Sequence, residues 1–385
     1  MAGSPPLLAP PPRDWDQPPW NRWSFQHVRE LVPTVEVWKG AGHASRLPRA
    51  ERDLDALPVT GSDDQPTTLA GVLDETYTDG FLVLKDGAVV YERYFNGMNP
   101  RSLHLSQSMA KSVTSAVAGI LVGSGLLDVT APITAYLPEL ADTGWRGATL
   151  QHVLDMTTGV KFDETYEAPD SDIAKVDIAC GWKPQPAGDD PRAVWPRHMW
   201  ELILGLKDVV RPHGDVFEYR SIETDVLAFA MERVTGKRLA DLVSEELWQK
   251  LGCEESACFT VDRAGYALAD GGFNATLRDY GRFGQMILNN GAGIVPAAWI
   301  ADTRDGASYG DAYSAAFPGS YRNQFWIEDQ TSRNLMCRGV FGQLIHVNFD
   351  ARIVTVKLST YPEFLSVPYS VATLRAVHAI AGALS

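Results

Sequence analysis

Strand signals stand at both ends of this chain and helix signals fill the space between. That order limits the fold more than any other feature. Near the start, Phe81-Leu-Val-Leu and Ala88-Val-Val-Tyr flank an Asp86-Gly87 turn, which predicts a hairpin over Phe81–Phe95. Near the end, Gln324–Ile327, Gly342–Asn348 and Ile353–Ser359 have strand composition, with Asp350-Ala351 as a turn. Between them the apolar spacing is helical. Ala110, Val113, Val117, Ile120 and Leu121 recur along Ser106–Gly125, which is apolar on most faces and predicts a buried central helix. Thr149–Met156, Trp195–Leu206, Thr224–Thr235, Leu239–Leu251 and Thr276–Leu288 read as further helices, and Tyr369–Ala383 as the last. The stretch 157–195 has loop composition. The simplest packing is α/β of the α+β kind: one antiparallel sheet built from both chain ends, flanked by helices, plus an all-helical region, with the site in the cleft between. The expected division is a Pro-rich segment over 1–20, a sheet domain from 21–125 and 300–385, and a mainly helical domain over 126–299.

The composition is that of an ordinary globular protein, 45% hydrophobic and 21% charged over 385 residues. A formal net charge of −14 repels phosphate backbones, so no nucleic-acid partner is expected. The acidity serves solubility first and tolerates cationic substrates. Cys180, Cys253, Cys258 and Cys337 form no C-x-x-C pair and no zinc-ligand spacing with histidine, so they read as reduced, buried thiols. The N-terminus lacks the basic start and apolar core of a signal peptide, and no apolar run reaches membrane-spanning length. The expectation is a cytoplasmic protein acting on a small molecule, with no membrane partner; a homodimer is compatible with the sequence.

The chemistry centres on Ser108-Met109-Ala110-Lys111, at the start of the buried helix. Serine and lysine at i and i+3 share a helix face, so the amine can reach the hydroxyl. A helix N-terminus disfavours an ammonium, and burial does the same, which predicts a neutral Lys111 able to act as a base near pH 7. The Ser108 N–H at that end can donate to an oxyanion. With ten lysines, a chance S-x-x-K is expected roughly once in such a chain, and the plain alternative is a capping serine beside a surface lysine. Two further elements follow. Tyr219-Arg220-Ser221 precedes the Thr224 helix, where a tyrosine could shuttle protons and the plain alternative has Ser221 capping the helix. Cys337-Arg338-Gly339-Val340-Phe341-Gly342-Gln343 enters a late strand, where an edge-strand N–H could complete an oxyanion hole. Ordinary strand glycines are the alternative there.

These three elements, in this order, resemble the serine β-lactamases and penicillin-binding proteins: S-x-x-K, then Y-x-S, then a variant of K-T-G. Thr149-Leu-Gln-His-Val-Leu-Asp-Met-Thr-Thr-Gly159 is similar to the segment after the catalytic helix in the class C and esterase branches. Pro19-Trp20-Asn21-Arg22-Trp23, Glu75-Thr-Tyr-Thr-Asp79, Thr224-Asp-Val-Leu-Ala228 and Val356-Lys-Leu-Ser359 resemble the nylon-oligomer hydrolase branch, over most of the chain. The resemblance implies Ser108 as nucleophile, Lys111 as base and Tyr219 as the acid that protonates the leaving amine. It implies an oxyanion hole from the Ser108 and Val340 N–H groups. It places Tyr166 and Asp177 on residues that improve amide turnover, the aspartate by contacting the substrate's amino group. Asp270 stands where that branch has an asparagine lining the pocket. The K-T-G position reads Cys337-Arg338-Gly339, without the lysine that serves β-lactam recognition, which turns the expectation from β-lactams to linear amides and esters. Phe341 adds apolar bulk that could shape the substrate pocket.

The expected activity is hydrolysis of linear amides or carboxylic esters, of the 6-aminohexanoate-oligomer kind, through an acyl-enzyme, with no metal or cofactor required. A carboxylesterase without amidase activity, an acyltransferase and a catalytically silent ligand-binding member of the fold remain open beside it. A histidine base, His104 or His152, is a further alternative, though no G-x-S-x-G surrounds any serine in a strand-turn-helix context.

Overall fold

The computed structural model describes residues 10–185, 195–305 and 319–385. Its main sheet has seven strands. From one edge to the other they are Ala88–Tyr94, Thr78–Lys85, Ile353–Ser359, Gln343–Asn348, Leu335–Gly339, Phe325–Ile327 and Ser320–Arg322, every neighbouring pair antiparallel. The two chain ends meet within it, where Leu82 faces Val356 and Val83 faces Thr355. The expected hairpin turns at Asp86 and Gly87, both with positive φ.

Helices cover both faces of this sheet. Val367–Leu384 lays Ala372, Ala376 and Ile380 against Phe81, Val83, Tyr91 and Ile353. On the other face Leu277–Leu288 comes very close because glycines line its contact stripe. A Cβ on Gly281 would stand 2.5 Å from Leu82, and one on Gly284 2.5 Å from Val354. That helix therefore lies on the sheet, which favours a boundary earlier than residue 299 for the proposed helical domain.

A second sheet of four strands was not legible beforehand. It runs Thr34–Val37, Ala257–Thr260, Phe273–Thr276 and Leu103–Leu105, all antiparallel. It matters because it delivers both halves of the site. Its last strand runs straight into Ser106-Gln107-Ser108, and Ser106 N–H donates to Phe273 O at 2.8 Å. The residues just before Phe273 include Asp270.

The central helix spans Met109–Gly123, with nearly every side chain buried. Its hydroxyl groups are accommodated by carbonyls of neighbouring segments: Ser112 donates to Gln324 O at 2.8 Å and Ser115 to Asn323 O at 2.5 Å. The helix Ile222–Thr235 packs beside it and ends at Gly236 in the left-handed region, as expected. Leu239–Leu251 is continuous but passes through a π-helical stretch at Val243–Trp248. The 157–195 stretch is not wholly irregular. It contains a helix, Asp172–Ala179, capped by the Ser171 hydroxyl on Ala174 N–H. All four cysteines are free and buried, as the scatter predicted. Among the described residues no helix is long and apolar enough to cross a membrane.

Candidate active site

Ser108 is the N-cap of the central helix, yet its side chain makes no capping bond. The turn before it is tight: Gln107 sits at φ 48°, and Lys111 N–H bonds back to Ser108 O at 3.2 Å. This geometry leaves the hydroxyl to other partners. Lys111 Nζ donates to Ser108 Oγ at 2.9 Å and to Asp270 O at 2.7 Å, and lies 4.0 Å from Asp270 Oδ2. The plain alternative of a surface lysine is therefore wrong: Lys111 is 1% exposed.

Tyr219, just ahead of the Ile222 helix, completes the group. Its ring centre is 5.2 Å from Lys111 Nζ, and burial raises its hydroxyl pKa while Lys111 and Ser108 hold it back. The ring stacks on Trp326 at 5.6 Å, which fixes its plane. Ser221 is the N-cap residue of that helix, but its side chain makes no capping bond. Its hydroxyl and N–H both donate to Glu164, at 2.5 and 2.9 Å. Glu164 also accepts from the Tyr166 hydroxyl at 3.0 Å. Sequence reasoning missed this half-buried carboxylate, because nothing in the residues around it marks a partner 57 positions away.

The electrostatics correct one expectation. Burial alone pushes the Lys111 ammonium down, as the sequence suggested. Tyr219, Asp270 and Glu164 oppose it, and the net shift is upward. The expectation of a neutral resting Lys111 fails because a buried amine among acidic groups keeps its proton. The acids respond in turn. Burial raises Tyr219, Glu164 and Asp270, each held back in part by Lys111. Asp225 is raised well above the usual carboxylate range, by burial and by the charge on Asp270.

Strand Leu335–Gly339 is not an edge strand, as had been expected. Its registered pairing with Phe325–Ile327 nevertheless stops at Met336, so Gly339 faces the Ser108 turn instead. A Cβ on Gly339 would stand 2.6 Å from Ser106 O, so glycine is required for the strand to pass this close. Val340 follows, then Phe341 at φ 61°, in a turn that packs Gly342 under the Tyr361 ring. The pocket lined by Ser108, Tyr166, Asp177, Asp270, Val340 and Phe341 brings together six residues singled out in the sequence. Phe341 shapes it from below, edge-on to Phe25 at 5.3 Å and against Phe364 at 4.9 Å. Tyr166 stacks on Phe364 at 5.4 Å. Asp177 is ion-paired to Lys183 at 2.8 Å.

The histidines take no part. His104 is fully buried, with Nε2 3.0 Å from Asp79 Oδ2 and Nδ1 3.0 Å from Leu105 O. His152 forms a capping box with Thr149. Neither ring contacts Ser108 among the described hydrogen bonds, which removes the histidine-base alternative.

Residues 74–379 match the beta-lactamase family. A 6-aminohexanoate-dimer hydrolase from Paenarthrobacter ureafaciens is 34% identical over 365 residues, 91% of this chain and 88% of that protein. A candidate 6-aminohexanoate-dimer hydrolase from Bacillus anthracis superposes with a TM-score of 0.88 at 30% identity, covering 100% of this chain and 99% of that one. EstCE1, a hydrolase with promiscuous acyltransferase activity, shares the fold at a TM-score of 0.64 and 17% identity, over 82% of this chain and 98% of that one.

Proposed function

The chain belongs to the beta-lactamase family, and on that footing we propose that it hydrolyses linear amides and carboxylic esters through a covalent acyl-enzyme on Ser108. The observation that carries this is the contact of 2.9 Å between Lys111 Nζ and Ser108 Oγ at the wall of the pocket, with the Tyr219 ring 5.2 Å from the same amine. The Ser108 hydroxyl attacks the carbonyl, and its proton passes to the Lys111/Tyr219 pair. The pair acts as one titrating unit, and its active form holds one proton fewer than the resting form. The N–H groups of Ser108 and Val340 hold the oxyanion. Tyr219 protonates the leaving nitrogen or oxygen, and water activated by the same pair then releases the acyl group. The 6-aminohexanoate-dimer hydrolase relative supports a linear amide as substrate, as does the missing lysine ahead of Arg338-Gly339.

The test uses p-nitrophenyl butyrate and a 6-aminohexanoate dimer. Ser108→Ala should abolish both activities and lose labelling by a fluorophosphonate probe at that position. Tyr219→Phe should lower amide turnover by about 10²–10⁴ and ester turnover by clearly less, because an amine leaves only when protonated. Ester hydrolysis that survives Ser108→Ala would refute the assignment. Turnover of the ester but never of the dimer would support a plain carboxylesterase.

A further inference from the structure

Away from the Ser108 pocket, three ligand-type side chains from three elements converge. His346 stands on strand Gln343–Asn348, His378 on helix Val367–Leu384, and Glu328 directly follows strand Phe325–Ile327. His346 Nε2 lies 2.9 Å from Glu328 Oε2, and His378 Nε2 lies 2.6 Å from Glu328 Oε1. The three ligand atoms are all within 4.8 Å of one another, and no other three His, Cys, Asp or Glu side chains converge in this way among the described residues. The two imidazole rings stand nearly at right angles, 75° apart. Beside them Val377 of the helix packs on Met336 and Leu344 of the sheet. The proposed chemistry uses none of these groups.

Two imidazole nitrogens and a carboxylate oxygen are a donor set for zinc and its neighbours, whereas calcium and magnesium take oxygen ligands. Bonds of about 2.0–2.1 Å in a tetrahedral site place the ligand atoms about 3.3 Å apart. Both imidazole–carboxylate contacts are tighter than that, so an ion enters by a slight opening of the triangle. His378 supplies the freedom, because its side chain is half-exposed, while His346 is fully buried. The open side leaves a fourth position to water. Glu328 is oriented by Asn334, whose Nδ2 donates to Oε2 at 2.9 Å and whose carbonyl accepts the Glu328 N–H at 2.9 Å.

His346 gives a second, independent sign. Its Nδ1 is buried and has no hydrogen-bond partner among the described residues, and the same is true of Thr355 Oγ1. Thr355 is the residue directly opposite His346 on the neighbouring strand. Residues paired in this way share a face, with Cβ atoms about 4.5–5.5 Å apart. A metal on Nε2 requires the ring proton to sit on Nδ1, and Thr355 Oγ1 is the acceptor on hand. Ligating histidines ordinarily donate from their second nitrogen, so the two orphaned atoms fit the outer shell of a metal-bound imidazole.

We propose that Glu328, His346 and His378 form a binding site for one divalent transition-metal ion, zinc by its donor set, which clasps the C-terminal helix to the main sheet. Without metal the three groups pair directly with one another, at the distances given above, and those pairs alone hold the helix at this point. With metal all three become ligands.

The test titrates zinc chloride into the chelator-stripped full-length protein by calorimetry, and cobalt chloride by visible absorption. The native protein should bind one equivalent of zinc. Its melting temperature should rise by about 3 °C at a hundredfold excess of free zinc over Kd. Cobalt should give visible ligand-field bands without the near-ultraviolet charge-transfer band of a thiolate. Thr355→Val should weaken zinc about tenfold, and His378→Ala about a hundredfold with loss of the melting gain. Glu328→Gln, equal in shape to the native residue, reads the same point independently of His378. Absence of stoichiometric zinc binding overturns the site. Binding that both His378→Ala and Glu328→Gln leave unchanged also overturns it, since the metal would then sit elsewhere, as at the His27–Glu30 pair or the stacked His152 and His213. A thiolate band with cobalt would do the same by pointing to the cysteines.

Discussion

Lys111 shows how a single residue can be placed correctly and its charge misjudged from sequence. The i, i+3 spacing sufficed to bring its amine to Ser108, because helix geometry is local. Its charge is set by Asp270, Glu164 and Tyr219, which arrive from distant segments, and no local pattern announces them. The same holds for Glu164, invisible as a site residue until the chain folds. A rate prediction follows from the sign of the shift. With Lys111 held protonated, the active form of the pair grows as pH rises, so kcat/KM should climb from neutral into alkaline pH. Asp270→Asn removes one of the charges that hold the proton. The Lys111 pKa then falls, and the ascending limb of the pH–rate profile should move to lower pH by roughly one unit. A limb that stays in place, or moves up, would show that Asp270 does not set the charge of the base.

At the scale of elements, the hairpin at Asp86-Gly87, the central helix and the Ile353–Ser359 strand were legible because each is signalled within its own residues. The strands Thr34–Val37, Ala257–Thr260 and Phe273–Thr276 were not, since the first finds its partner far along the chain and the other two are short and joined by a long connection rather than a tight turn. The C-terminal helix was legible as a stripe of apolar residues, but its electrostatic tie to the sheet was not. His378 on that helix pairs with Glu328 Oε1 at 2.6 Å, and His346 on the sheet pairs with Glu328 Oε2 at 2.9 Å. The Glu328 hydrogen bond raises His378 above its ordinary value, against burial. Glu328, despite burial, is held well below the usual carboxylate range by the two histidines. The His378 contribution is complete below the unfolded value of 6.5 and is lost as pH rises through the higher folded value. That of Glu328 is present above its unfolded value of 4.5 and is lost as pH falls through the depressed one. His378→Ala should therefore cost about 0.5–1 kcal/mol near pH 5.5, small because the histidine is half-exposed, and almost nothing above pH ~9. Thermal melts of both metal-free proteins across this range would show it; a difference that is constant with pH would mean the ion pair contributes nothing.

Across the whole molecule, the segment that leads into and through the short helix Asn21–Ser24 acts as a strap over parts that the sequence separates widely. Asn21 donates to Tyr361 O at 2.9 Å, and Arg22 reaches Asp79 Oδ1 at 2.9 Å and Thr360 Oγ1 at 2.8 Å, all beside the main sheet. Phe25 is fully buried between His104 and Phe341. Trp15 and Asp16 carry the same strap across to Trp182 and Lys183, in the stretch that holds Tyr166 and Asp177. Proline-rich composition gave no hint of this, because what anchors the strap is its aromatic and polar side chains finding tertiary partners. Trp15 is the anchor with the most buried surface, so Trp15→Ala should destabilise the protein by about 3–5 kcal/mol. The loss should also be directional. With the Trp182 contact gone, the 157–185 stretch loses its outer support while the sheet side of the strap keeps Asn21, Arg22 and Phe25. Trypsin should then cut at Lys175 well before any site in the main sheet. Uniform acceleration of cleavage across the chain would instead make Trp15 an ordinary core residue, and the strap would have no special hold on the pocket wall.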